Sequence, residues 1–155
     1  MDPKDLNKEL SSLAQLDIDA IHAYDQAIHN IDVTSVREQL TQFKADHERH
    51  VRDLSVIIQR FGGQAPSFSP DFKGYVLQGF TALRSAMGTE GALKAMKGNE
   101  ELTNRTYSNA LGKGFPVDVL AVLQKNYADE QRHLAAINQW IGIRVWEQAG
   151  AGVHI

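Results

Sequence analysis

The sequence contains no cysteine, which removes disulfides, thiolate metal sites, iron-sulfur clusters and a cysteine nucleophile. Any metal must then be held by carboxylate oxygen and imidazole nitrogen. No apolar run is long enough to cross a bilayer, and "MDPKDLNKEL" lacks the basic start and the apolar stretch of a signal peptide. The expectation is a soluble, cytoplasmic protein with no membrane association. A dominant charge of one sign is also missing. A formal charge of -3, with no basic block at either end, gives no electrostatic footprint for nucleic acid. The 155 residues suffice for one domain with a sizeable core.

What is present is helical spacing, interrupted by few turn signals. Four long helices are expected. The first runs from Pro3 to Asn30, on a seam that includes Leu6, Leu10, Leu13, Asp17, Ala20 and Tyr24. The second runs from Thr34 to Phe61, on Val36, Leu40, Phe43, His47, His50 and Leu54, and is stopped by Gly62 and Gly63. The third, Thr89 to Leu111, carries Leu93, Met96, Glu100, Thr103 and Tyr107 before "GKGFP" breaks it. The fourth, Pro116 to Ala149, presents Val119, Leu123, Asn126, Glu130, His133 and Ile137. Each seam is a stripe of the kind that packs in a helix bundle.

Residues 62–88 are too long for a hairpin loop. Asp71 to Met87 reads as a separate amphipathic helix, with Tyr75, Leu77, Phe80, Leu83 and Met87 available for packing. At 1.5 Å per residue such a helix covers about 25 Å and can return the chain to the other end of the bundle. The fold expected is therefore all-α: a four-helix bundle of two hairpins joined by a crossover helix. It occupies residues 1–149, followed by a loose tail at 150–155.

The two hairpins are written on one plan. "ADHERH" at residues 45–50 returns as "ADEQRH" at 128–133, a displacement of 83 positions. The same shift aligns Leu10 with Leu93, Asp17 with Glu100, Tyr24 with Tyr107 and Leu40 with Leu123, without a gap. Apolar matches follow from packing alone. The acidic residue, the tyrosine and the Asp-x-x-Arg-His string do not, and they point to duplication.

Asp17, His47, His50, Glu100, Glu130 and His133 break the apolar seams near mid-length. An unpaired buried carboxylate costs several kcal/mol, so groups gathered there need a shared partner. A divalent cation supplies one, because carboxylates and neutral imidazoles are its ligands. Residues three apart share a helix face, so Glu130 with His133, and His47 with His50, can touch one ion from successive turns. Asp46 and Asp129 sit one position off the seam. They can accept from the histidines' outer ring nitrogens, or pair with Arg49 and Arg132 at the surface. Tyr24 and Tyr107 can hydrogen-bond the carboxylates, or simply fill the core. His22, Asp25, His29 and Glu101 read as solvated, and Trp140 and Trp146 as packing residues.

On these residues the chain resembles the ferritin-like superfamily of bacterioferritin and rubrerythrin type, whose di-metal bundles take one Glu from each of two helices and Glu-x-x-His from each of the other two. "LDIDAIHAY" is similar to the first-helix stretch of bacterioferritins. The layout as a whole, with its inserted helix and "KGNEELTNRTY", is similar to an uncharacterised bacterial family of ferritin-like four-helix bundles. The resemblance covers about residues 6–61 and 89–145. It implies a metal site made of Asp17, His47, His50, Glu100, Glu130 and His133, taking Fe or Mn, with Zn as a further candidate and no organic cofactor. Asp17 is one methylene shorter than the family's Glu, and His47 stands where the family has a carboxylate that commonly bridges two metals.

The altered set leaves three outcomes open: one ion, an asymmetric pair, or a metal-free hydrogen-bond network. The resemblance also implies oxidation of the metal by oxygen or peroxide; if the protein is an enzyme, it is a non-haem metal oxidoreductase. The rival reading is a structural or stress-associated bundle whose polar core fixes helix register and which acts through protein-protein contact. In that reading the surface binds a partner or another copy of the chain; a third possibility, iron storage in a cage, requires a homo-oligomer, and no protein partner is named by the sequence.

Overall fold

The structure, a computed structural model, describes residues 1–72 and 74–152, with the backbone alone at 74, 75 and 149–152. Helix α1 (Pro3–Asn30) starts where the Asp2 side chain accepts from the Asp5 amide at 2.9 Å and Pro3 supplies a preset first turn. A three-residue turn leads to α2 (Thr34–Arg60). After the crossover helix α3 (Gly74–Ser85), the second hairpin is formed by α4 (Gly88–Ala110) and α5 (Val117–Gly142). A short α6 (Val145–Gly152) follows. Among the described residues every regular element is a helix.

The hairpins α1/α2 and α4/α5 pack on each other through α1 against α4 and α2 against α5. Two contacts fix where the crossover starts and ends. At one end Thr89, at the start of α4, donates to the Asp32 carboxylate at 2.6 Å and accepts from its amide at 3.1 Å. At the other end Asn7 donates to the Phe61 carbonyl at 2.9 Å. The crossover therefore carries the chain along the full bundle, in the groove between α1 and α4, where α3 packs.

Helix α3 is shorter than the sequence led us to expect. It begins at Gly74 rather than Asp71, and the preceding strip is irregular chain held to α1: Asp19 accepts from the Asp71 amide at 2.7 Å, Gln15 donates to the Ser69 carbonyl at 3.1 Å, and a His22 ring nitrogen meets the Phe68 carbonyl at 3.1 Å. His22 is accordingly half-buried, not solvated. Of the apolar residues expected to pack on α3, Leu83 is fully buried and Phe80 lies against the core, whereas Leu77 and Met87 are exposed. The Tyr75 side chain lies outside the described residues. Gly79 lets α3 sit close to α4, since a Cβ there would meet Asn99 Oδ1 at 2.5 Å.

The fourth long helix does not run to Ala149. It stops at Gly142, and Arg144 takes the left-handed conformation at φ 51°. That conformation costs a non-glycine residue about 1 kcal/mol or more. In return Val145 becomes buried and Trp146 packs over the end of the core, while Arg144 bonds Glu147 at 2.8 Å and lies over the Trp146 ring. Residues 150–152 of the expected tail belong to α6, and 153–155 lie outside the described residues. Trp140 also packs on the core, as expected.

The apolar interior falls into two main clusters. One gathers Ala27, Ile31, Leu40, Leu83, Leu93 and Ile137; the other gathers Leu6, Leu10, Leu54, Ile58, Val119 and Leu123. Burying each Leu, Ile or Val side chain among them contributes about 1.5–3 kcal/mol. Between the clusters lies a polar layer. No helix among the described residues is long and apolar enough to cross a membrane.

Candidate metal centre

The polar layer is built by one turn from each long helix. Asp17 comes from α1, His47 and His50 from α2, Glu100 from α4, and Glu130 and His133 from α5. All six are at most 1 % exposed. Each sits on its helix's apolar seam, so the packing that buries the seam also carries these groups inward. The distances show that they meet. His47 Nδ1 and His50 Nδ1 stand 2.7 and 2.9 Å from the same oxygen, Asp17 Oδ1. His47 Nε2 is 3.4 Å from Glu100 Oε1, and His133 Nδ1 is 3.7 Å from that oxygen. Glu130 Oε1 lies 3.4 Å from both His47 Nδ1 and His50 Nδ1.

The four remaining candidates surround this layer crosswise. Tyr24 donates to Glu100, and Tyr107 to Asp17 Oδ2 at 2.5 Å, so each tyrosine holds the carboxylate of the other hairpin. His50 Nε2 faces Asp129 at 2.9 Å and His133 Nε2 faces Asp46 at 2.8 Å, again between hairpins. The two readings of these aspartates hold together. Asp46 also accepts from Arg132 at 2.7 Å, and Asp129 also accepts from Arg49, so each carboxylate ties a buried ring to a guanidinium on the rim. A histidine whose outer nitrogen is so fixed presents its other nitrogen inward, as metal-ligating histidines usually do. Asp25 and His29 are exposed, as expected, and Asp25 pairs with Lys44 at 2.6 Å.

Three polar residues join the site unannounced. The Thr103 hydroxyl lies 3.1 Å from Glu100 Oε2 and 2.9 Å from Glu130 Oε2. Asn126 donates to the Tyr107 oxygen at 3.3 Å. Asp19, two residues beyond Asp17 on α1, is 3 % exposed, borders a small cavity that Glu100 and Thr103 also line, and has its carboxyl pKa pushed up by burial. The signal for the first two was a break in the repeat: the 83-residue shift pairs Thr103 with Ala20 and Asn126 with Phe43. Phe43 instead stacks on His133, with ring centroids 4.3 Å apart.

The charges respond to one another. At Asp17 burial works against ionisation, but the His50 charge and hydrogen bonds from His47 and His50 outweigh it and hold the pKa at about 2. At His50 burial opposes the charged ring, yet the Asp17 charge and the bonds to Asp129 and Asp17 raise its pKa to about 10. Burial also opposes the charged form of His47 and His133, but the Glu130 charge and the bonds to Asp17 and Glu100 hold His47 well above its ordinary value, and Asp46 and Glu100 raise His133. Glu100 is held low by His133 and His47 in spite of burial. Glu130 differs: burial and the Glu100 charge prevail over the His47 charge, and it titrates at about 7. Burial and the adjacent carboxylates push both tyrosines well above 10, so they remain donors.

Two sets of four buried groups can each hold a metal ion: Asp17, His47, His50 and Glu130, and His47, Glu100, Glu130 and His133. Within each set the ligand atoms lie within 4.8 Å of one another. Donors bonded to one ion at about 2.1 Å stand roughly 3–4 Å apart, so small side-chain shifts suffice. Two buried atoms in these sets, Glu130 Oε1 and His133 Nδ1, have no hydrogen-bond partner. Unpaired polar atoms at such depth are costly, and a cation fits both.

The family model described as Domain of unknown function (DUF2383) matches residues 5–113. The chain belongs to this family. The DUF2383 match spans α1 to α4, and so includes Asp17, Tyr24, His47, His50, Glu100, Thr103 and Tyr107; Glu130 and His133, on α5, lie outside it. No match is found among the curated proteins.

In this DUF2383 chain the layer is approached by a cavity of about 10 Å³, room for roughly one water molecule. It lies beneath Phe72 and Val76 of the crossover, and Tyr24, Glu100 and Thr103 border it. This space opens on the α1/α4 side, under the crossover.

Proposed function

We propose that this protein is a ferritin-like metal binder whose mid-bundle layer holds non-haem Fe or Mn and supports its oxidation by oxygen or peroxide. One observation carries the reading: six ionisable side chains from all four long helices converge in a fully buried layer and leave Glu130 Oε1 and His133 Nδ1 without a hydrogen bond. A helix bundle has no packing reason to gather them. The donor set is oxygen and imidazole nitrogen without sulfur, which suits Fe(II) and Mn(II), and also Zn(II). A bound Fe or Mn ion would supply the electron transfer. Asp17, Glu100 and Glu130 would offset its charge, Asp46 and Asp129 would fix the ring orientation of His133 and His50, and Tyr24 and Tyr107 would hold Glu100 and Asp17 in place. The apolar clusters on either side exclude bulk water.

A second reading is favoured by the short His-Asp contacts, which close much of the network without an ion. In it the layer sets helix register, and the protein acts through contact with a partner. The thermal midpoint of chelator-treated protein, measured with and without Mn(II) or Fe(II), separates the two. A ligand that binds only the folded state adds about 2.7 kcal/mol at a hundredfold excess over Kd, which raises the midpoint by roughly 5–11 °C in a chain of this size. An unchanged midpoint, with no metal retained through gel filtration, would refute metal binding.

A further inference from the structure

We propose that one chain holds a single divalent ion, because the His47 ring, shared by two overlapping sites, can serve only one of them at a time. The proposal rests on the metal-binding reading and sharpens it. The two candidate sets share two members, Glu130 and His47. These are counterparts under the 83-residue repeat, so the two hairpins present their equivalent positions to the middle of the layer. The two side chains differ in what they can share. Glu130 turns Oε1 toward His47 Nδ1 and His50 Nδ1, 3.4 Å from each, and Oε2 toward Thr103 and His133, at 2.9 and 3.9 Å. A carboxylate can therefore offer one oxygen to each set. His47 also shows one nitrogen to each set, Nδ1 at 2.7 Å from Asp17 Oδ1 and Nε2 at 3.4 Å from Glu100 Oε1.

A neutral imidazole carries one lone pair and one N–H. When the Nδ1 lone pair binds an ion beside Asp17 and His50, the Nε2 hydrogen points at Glu100 Oε1, the oxygen a second ion would need. In the other tautomer the Nε2 lone pair is available beside Glu100 and His133, and the Nδ1 hydrogen points at Asp17 Oδ1. Either arrangement places the positive end of an N–H dipole in the neighbouring set. Charge acts in the same direction: the layer has three carboxylates, where two identical hairpins each carrying Glu at this position would have four. A second dication in a buried layer would lack an offsetting anion. His47 thus makes the two sets alternatives.

The test uses the whole chain, stripped with chelator, reloaded with excess Mn(II) and freed of unbound ion by gel filtration. Native mass spectrometry should find one Mn per chain, and electron paramagnetic resonance should show an uncoupled Mn(II) signal. Two ions per chain, or a spin-coupled pair, would overturn this inference while leaving metal binding intact. No retained ion would refute the metal-binding reading and this inference with it. The His47→Glu variant gives each set an oxygen and should hold two ions with a coupled signal; a folded variant that still holds one would show that His47 is not the determinant. Should that variant not fold, the wild-type count and spectrum decide alone.

Discussion

Tyr107 gives the most direct measure of how the polar layer contributes to stability. Replacing it with Phe removes one oxygen and leaves the ring, which is wholly buried and lies edge-on to His50 at 6.0 Å. Two hydrogen bonds are lost: the one Tyr107 donates to Asp17 Oδ2 at 2.5 Å, and the one it accepts from Asn126 at 3.3 Å. A bond to a buried carboxylate is worth about 1.5–3 kcal/mol and a neutral one about 0.5–1.5 kcal/mol. Tyr107→Phe should therefore cost about 2–4.5 kcal/mol, or roughly 4–18 °C in thermal midpoint. Tyr24→Phe is the internal control. Tyr24 donates to Glu100 in the equivalent way, but the position equivalent to Asn126 is Phe43, so one bond fewer is lost. Urea unfolding of chelated wild type and both variants should give unchanged slopes, with Tyr107→Phe the weaker protein by about 0.5–1.5 kcal/mol. Equal losses, or a greater loss for Tyr24→Phe, would refute the asymmetry assigned to Asn126.

Without metal, stability should depend on pH in a direction set by the layer. Asp17 titrates at about 2 against an ordinary 3.8, so its contribution is present above pH 3.8 and is lost as pH falls through 2. His50 titrates at about 10 against 6.5, so its contribution is complete below pH 6.5 and disappears as pH rises through 10; Glu130, raised from 4.5 to about 7, opposes folding increasingly over that interval. Urea midpoints of chelated protein should peak in the mildly acid range and decline toward pH 10, and a maximum above pH 8 would contradict the assignment. Asp19→Ala removes the acceptor for the Asp71 amide and should cost about 1 kcal/mol, with faster hydrogen exchange at Asp71 and a protease-sensitive crossover; unchanged exchange there would show that the clasp is idle. Leu83→Ala, at the buried side chain that seats α3, should cost about 2–4 kcal/mol, and a loss under about 1 kcal/mol would mean that the crossover is not anchored through it.

Much of this molecule was legible in the sequence because the relevant signals are local. A 3.6-residue period fixes which side chains share a helix face, so the four seams and their polar interruptions at Asp17, His47, His50, Glu100, Glu130 and His133 follow from spacing. The repeat gave the pairing of halves. What spacing along one helix does not contain is the height and rotation of its neighbours. Packing between hairpins decided that Tyr24 reaches Glu100 and Tyr107 reaches Asp17, and that His50 faces Asp129 while His133 faces Asp46. It also drew Thr103 and Asn126 into the network, shortened α3 by capturing the chain at Asp19, and bent the C-terminus at Arg144. Each is a choice among locally allowed conformations, settled by which one buries apolar surface and pairs polar groups across elements far apart in sequence.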